Sequence, residues 1–260
     1  MLRAIYLQFK KVPGLRVLAV GARDLWQASP FKRRLLFKQD LATAIKWSEE
    51  LFPQQPELVS ELKELSRSNL FRQHFSYGHA GDFDVFALYL ITRAIKPEVV
   101  VETGVASGRS SSAILLALEK NNLGKLYSID LPQHYSSAAP ETYTTHEGNT
   151  ELKGFVPEGR EPGWLVPDNL RQRWQLILGD SKVELPKLLT QLHKIDIFYH
   201  DSDHSYEAMM LEFSTVWPTI PTRGFLLSDD IGWNKSWSDF ITKVGAKTVK
   251  GYRNFGLVRK

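Results

Sequence analysis

Residues 99–108, VVVETGVASG, constrain the fold more than any other stretch of the chain. Three consecutive valines behind Pro97 predict a short strand buried on both faces, opened by a residue that need not donate to a ladder. Gly104 and Gly108 let the backbone turn sharply and pass close to a ligand, and Ser110, Ser111 and Ser112 open an apolar helix running through Leu118. The spacing is E-x-G-x-x-x-G. It is neither the G-x-G-x-x-G of a dinucleotide turn nor a P-loop, which needs Lys and Ser or Thr after its last glycine. An acidic residue two positions ahead of the first glycine repels a phosphate and suits a ligand carrying an ammonium or sulfonium charge. The plainer alternative is a tight strand-to-helix connection that binds nothing.

Further strands follow in the order that a doubly wound sheet requires. After a helix stop at residues 121–124, the segment KLYSID predicts a second strand ending at Asp130, placed to accept both hydroxyls of a ribose. A third strand, residues 175–179, runs into Asp180 and Ser181; a fourth, residues 195–200, runs into Asp201; a fifth, residues 225–227, runs into Ser228, Asp229 and Asp230. Any one of these carboxylates could cap a helix. Together they point to one crevice outside the carboxyl ends of the strands.

With these motifs in view, residues 76–260 resemble the class I S-adenosylmethionine-dependent methyltransferases. More narrowly they resemble the metal-dependent O-methyltransferases related to catechol O-methyltransferase and to the macrocin O-methyltransferase and cephalosporin hydroxylase type enzymes. The likeness rests on ETGVASGRS from Glu102 to Ser110, SID ending at Asp130, GDS ending at Ser181, HDSDHSYE from His200 to Glu207, and SDD ending at Asp230. It implies an α/β fold, with a mostly parallel seven-stranded Rossmann-like sheet and helices on both faces. It also implies S-adenosylmethionine as cofactor. Glu102, Gly104 and Gly108 would shape the methionine end of the pocket, Ser110 would hold the methionine carboxylate, Asp130 the ribose, and Asp180 and Ser181 would border the adenine.

A crossover between the fourth and fifth strands brings Asp201, Asp229 and Asp230 together. Carboxylates a few ångströms apart share protons or bind a cation, and an all-oxygen set suits Mg²⁺ or another hard divalent ion. In the resembled enzymes this is the metal site; a helix cap with a solvated neighbour is the alternative. His204, three residues beyond Asp201, suits a general base that takes the proton of an acceptor hydroxyl, with Asp201 beside it. The catechol enzyme has a Lys in the corresponding place, and a ligand or capping role for His204 stays open. His200 should point to the opposite face of its strand and pack in the core. The absence of cysteine removes thiolate zinc and cysteine nucleophiles, and the other histidines lack zinc spacing.

The expected reaction is methyl transfer to a hydroxyl of a small molecule such as a sugar, a phenol or a secondary metabolite. A nucleic-acid-binding methyltransferase, or a cofactor-binding protein without catalysis on the same fold, is the alternative. Residues 1–40 carry nine Lys and Arg against two Asp, so their net charge is +7 in a chain of net +4. With their aromatic and aliphatic residues they suit an anionic membrane surface, a nucleic acid, an oligomer partner such as a second copy, or simply a helical cover on the sheet. The organisation expected is a basic helical extension over 1–75 and a methyltransferase domain over 76–260. An insertion at about 131–169 would form a lid or acceptor wall. No apolar run reaches membrane-spanning length, and a cytoplasmic location is expected.

Overall fold

The computed structural model describes residues 30–71, 80–135, 142–144, 150–152 and 155–260. Most of the basic, aromatic segment that the sequence singles out, residues 1–29, lies outside them. Seven strands form one sheet: β1 (Val99–Thr103), β2 (Lys125–Asp130), β3 (Trp174–Leu178), β4 (Ile197–His200), β5 (Phe225–Ser228), β6 (Thr248–Tyr252) and β7 (Phe255–Arg259). Their order is β6-β7-β5-β4-β1-β2-β3. The five strands from β5 to β3 pair in parallel, while β7 lies antiparallel between β5 and β6. β6 turns into β7 through Arg253 and Asn254, with Arg253 at a φ of 53°, the left-handed geometry that closes a two-residue hairpin.

Period-two alternation along each strand divides the core. Val100, Leu126, Ile197, Tyr199, Phe225 and Leu227 face one side, with helices α1 (Pro30–Leu51), α2 (Glu57–Leu65), α3 (Asp82–Ile95) and α4 (Arg109–Asn121). Val101, Ile129, Phe198, Leu226 and Val258 face the other, with α5 (Ser181–Leu192), α6 (Tyr206–Val216) and α7 (Ser236–Val244). The N-terminal helices share the first core: Trp47 of α1 stacks edge-on against Phe83 of α3 at 4.9 Å, and Phe83 in turn meets Phe255 of β7 at 5.7 Å.

Strand boundaries differ from the sequence expectation by one or two residues. β3 stops at Leu178, one residue short of Gly179. β4 starts at Ile197, because the Asp196 carboxylate ahead of it accepts the N–H groups of Glu98 and Val99 at 2.8 and 3.1 Å. α6 starts at Tyr206 with Ser205 as its cap, so His204 sits in the loop before the helix. Of the insertion after β2, the described parts include two short strand pairs and a 3₁₀ turn over Asp168–Arg173. Its far end docks on the glycine loop, where Gly163 N–H donates to the Ala106 carbonyl at 2.8 Å and Leu165 N–H to that of Ser107 at 3.0 Å.

Candidate active site

The strand order reverses at β1, with β2 on one side and β4 on the other, and this switch point is where an open α/β sheet binds its ligand. The β1–α4 loop that lines it is rigidly built. Gly104 has a φ of 84°, and a Cβ there would lie 1.9 Å from the carbonyl oxygen of Asp201; Gly108, at φ 83°, leaves room for Gly163 and Val166 of the insertion. Both positions therefore require glycine.

Glu102 is fully buried. One of its carboxylate oxygens accepts from Ser110 at 2.5 Å, the other from Ser111 at 2.6 Å and Ser128 at 2.7 Å. Burial raises its pKa and the three hydroxyls oppose the rise. Glu102 thus ties β1, β2 and the start of α4 together, and shapes the pocket through the loop it anchors; it does not present its charge to a ligand ammonium. Ser110 belongs to the same arrangement. Its side chain is buried with its hydroxyl turned inward to Glu102.

Asp130, at the carboxyl end of β2, is 8% exposed. Its Oδ2 accepts the N–H groups of Val105 and Ala106 at 2.7 and 3.0 Å. Burial raises its pKa against those two bonds. Exposed Leu131 and Leu178, at the ends of adjacent β2 and β3, supply apolar surface beside it. Asp180 caps α5 by accepting the Lys182 N–H at 2.9 Å. Ser181 points away from solvent, donating to Glu212 at 2.5 Å. A glycine loop, a helix N-terminus, a strand-end carboxylate and an apolar rim fit a nucleoside bearing an amino-acid tail.

On the other side of β1 the acidic residues gather. Asp201 receives the Tyr199 hydroxyl at 3.3 Å. Asp229 accepts the Asp230 N–H at 2.7 Å, and Asp230, at φ 49°, accepts from Asn254 at 2.8 Å. His204 lies between them, Nε2 3.7 Å from Asp201 Oδ1 and Nδ1 3.6 Å from Asp230 Oδ2. Its Nε2 is buried without a hydrogen-bond partner. Burial, then His200, pushes its pKa down to about 4, so the imidazole is neutral at pH 7. Burial and Asp229 hold Asp201 well above the usual carboxylate range, and burial with Asp230 brings Asp229 up to about 6.

Two participants were not identified in the sequence. Asp84, on the first turn of α3, is buried and accepts the Gly81 N–H at 2.7 Å. Burial and Asp229 raise its pKa strongly, making it a fourth carboxylate of the group. Glu212 of α6 is buried and accepts from His200, Thr103, Ser181 and Ser202. Its signal was present: Glu212 lies three residues after Met209 and four before Val216, a lone carboxylate on an apolar stripe. As the side chains stand, no three His, Asp or Glu residues among those described form a group able to hold a metal ion. The donors are chemically suited to a hard cation, but their arrangement does not fit one.

A parallel sheet with an antiparallel hairpin at one edge, a glycine turn at its switch point and a buried carboxylate at the end of the next strand make a doubly wound α/β protein with a crevice at that point. Residues 101–231 match the family model described as a methyltransferase domain, half of the chain, and the protein belongs to that family. It is a methyltransferase by that membership. No curated protein matches the chain. Among solved structures it is similar to an O-methyltransferase from Bacillus cereus in complex with S-adenosylhomocysteine, at 13% identity, 86% coverage of this chain, 100% of that one and a TM-score of 0.49. It is also similar to an S-adenosylhomocysteine-bound methyltransferase from Podospora anserina, at 11% identity, 85% and 87% coverage and a TM-score of 0.47. A third is a TDP-rhamnose 3'-O-methyltransferase of calicheamicin biosynthesis, at 16% identity, 89% and 95% coverage and a TM-score of 0.49. Among the described residues, no helix is long and apolar enough to cross a membrane.

Proposed function

We propose that the protein methylates a hydroxyl oxygen of a small-molecule acceptor, with His204 as the general base. The observation that carries this reading is the position of His204, a neutral imidazole with an unpartnered buried Nε2, beside Asp201 and Asp230 at the carboxyl ends of β4 and β5. Bound in the glycine-loop half of the crevice, the cofactor supplies a methyl group on a sulfonium.

As the acceptor oxygen forms its bond to that methyl and the sulfur–carbon bond breaks, the oxygen gains positive charge and its proton becomes strongly acidic. A base of pKa about 4 is then strong enough to take it. The proton goes to His204 Nε2, and the products are an ether and the neutral thioether. Asp230, 3.6 Å from Nδ1, stabilises the imidazolium that forms, and the carboxyls of Asp201 and Asp230 offer hydrogen bonds to further hydroxyls on the acceptor. Orientation of acceptor and methyl in a closed crevice supplies on the order of 7 kcal/mol or more in favourable cases.

A divalent ion at Asp201, Asp229 and Asp230 would lower the charge repulsion among them, but no catalytic step is assigned to one. Chelation tests it: turnover that persists in EDTA leaves His204 sufficient, while turnover abolished by EDTA and restored by Mg²⁺ adds the cation to the site.

Calorimetric binding of S-adenosylmethionine comes first. This is followed by methyl transfer to catechol and to simple glycosides, in wild type and His204→Ala. The expected result is a kcat lowered about 100-fold or more in His204→Ala at unchanged cofactor affinity. Unchanged turnover in the variant removes His204 as base.

A further inference from the structure

The geometry points to His200 and Glu212 as a positioning pair whose task is to hold the His204 imidazole in its working orientation. It rests on the reading of His204 as base.

His200 is completely buried, and its Nδ1 lies 2.7 Å from Glu212 Oε2. A buried carboxylate against one ring nitrogen fixes both the tautomer and the rotation of an imidazole, with the Nδ1 proton on the carboxylate side. Two rings close the remaining sides: Phe213 at 5.4 Å and 79°, and His204 at 5.3 Å and 85°. The His200 ring therefore meets His204 edge to face, and His204 cannot rotate toward the sheet without displacing it.

Glu212 reaches the same loop by a second route. Its Oε1 accepts the hydroxyl of Ser202, two residues before His204, at 2.8 Å. The other two donors, Thr103 at 2.6 Å and Ser181 at 2.5 Å, come from the end of β1 and the start of α5, so the carboxylate is anchored on the cofactor side of the crevice. Burial raises the pKa of Glu212, but the neighbouring His200 and these hydrogen bonds outweigh it and keep the group below its ordinary value. A carboxylate so deeply buried costs several kcal/mol to desolvate unless it is fully paired. Here four donors pair it, two of them on the segment that carries His204. Nothing in packing alone requires that expense, since an apolar residue at 212 would continue the stripe of Met209, Phe213 and Val216.

The test needs no acceptor in its first arm. In ¹H–¹⁵N imidazole spectra of the wild-type protein, His200 should show a strongly deshielded, slowly exchanging Nδ1 proton, lost in Glu212→Gln. In His200→Asn and in Ser202→Ala the His204 ring resonances should shift. Absence of the deshielded proton, or His204 resonances that stay put in both variants, overturns the inference.

The second arm uses turnover of catechol as probe acceptor. His200→Asn should lower kcat about 10- to 100-fold with cofactor Kd unchanged. His200→Asn/His204→Ala should be no slower than His204→Ala alone, since a residue acting through His204 has nothing left to position. If the two losses multiply in the double variant, His200 does not act through His204 and the inference falls, while His204 stays the base. If His204→Ala alone is harmless, the base assignment itself falls and this inference with it. Should His200→Asn not fold, the wild-type spectrum and Ser202→Ala decide.

Discussion

Asp229 accepts the N–H of its own neighbour Asp230 at 2.7 Å and is buried beside that residue's carboxylate; burial and that negative charge bring its pKa from 3.8 up to about 6. A carboxyl whose pKa is higher folded than unfolded binds its proton more tightly in the native state. Its contribution is then fully present below pH 4 and lost as the pH rises through 6. A shift of about two units corresponds to about 3 kcal/mol. Asp229→Asn keeps the acceptor for the Asp230 amide and removes the titration. In urea unfolding with EDTA present, the variant should match wild type at pH 4 and exceed it by about 2–3 kcal/mol at pH 7. Equal stabilities at pH 7 would mean that neither burial nor Asp230 raises the Asp229 pKa in the folded protein. The sequence made Asp201, Asp229 and Asp230 visible because each ends an apolar strand. Asp84 and Glu212 lie inside amphipathic helices, where a buried carboxylate and a solvated one are written with the same letter. Only its place on the apolar stripe distinguishes Glu212.

The decisive element is the β1–α4 loop, legible in full because glycine spacing and a preceding valine run leave few alternatives. What the sequence did not disclose is how the loop is held. Ser110 and Glu102, polar residues in a presumed pocket, read as ligand contacts; in three dimensions they satisfy each other under the loop. Asp130 is held through Oδ2 by the amides of Val105 and Ala106, and the ribose is its expected second task. Asp130→Asn separates the two tasks. The amide carbonyl can still accept both N–H groups, so the melting temperature should change by no more than a few degrees, while S-adenosylmethionine affinity should fall about 10- to 100-fold with the loss of a charge-assisted diol contact. Calorimetry reads the affinity. An unchanged Kd would displace Asp130 from the ribose. Asp130→Ala, which leaves the two amides unanswered, should lose stability as well.

At the scale of the molecule, the sheet order and its switch point follow from the succession of strands and glycine turns, whereas the place of the N-terminal helices does not, because nothing local records which face of a sheet a distant helix covers. Their contacts argue that residues 30–65 complete the catalytic unit's own core. Trp47 is 5% exposed, packed edge-on to Phe83 and within 6.3 Å of Phe255, so it bridges α1 to α3 and to the edge hairpin. α3 in turn carries Asp84 to the acidic group and ends in Ile95, two residues ahead of Pro97 and β1. Truncating Trp47 to Ala should cost about 3–5 kcal/mol, the range for emptying a large aromatic site in a core. Cofactor affinity should hold, because Asp130, Gly104 and Gly108 lie on other elements. Catalysis should weaken, because the first turn of α3 loses the ring against which Phe83 is set and Asp84 shifts with it. Urea unfolding, calorimetry and turnover on one variant therefore give three separate readings. A loss of stability below about 1 kcal/mol would show that α1 is an appendage, and a fall in cofactor affinity equal to the fall in kcat would place the coupling through the whole sheet instead of through α3.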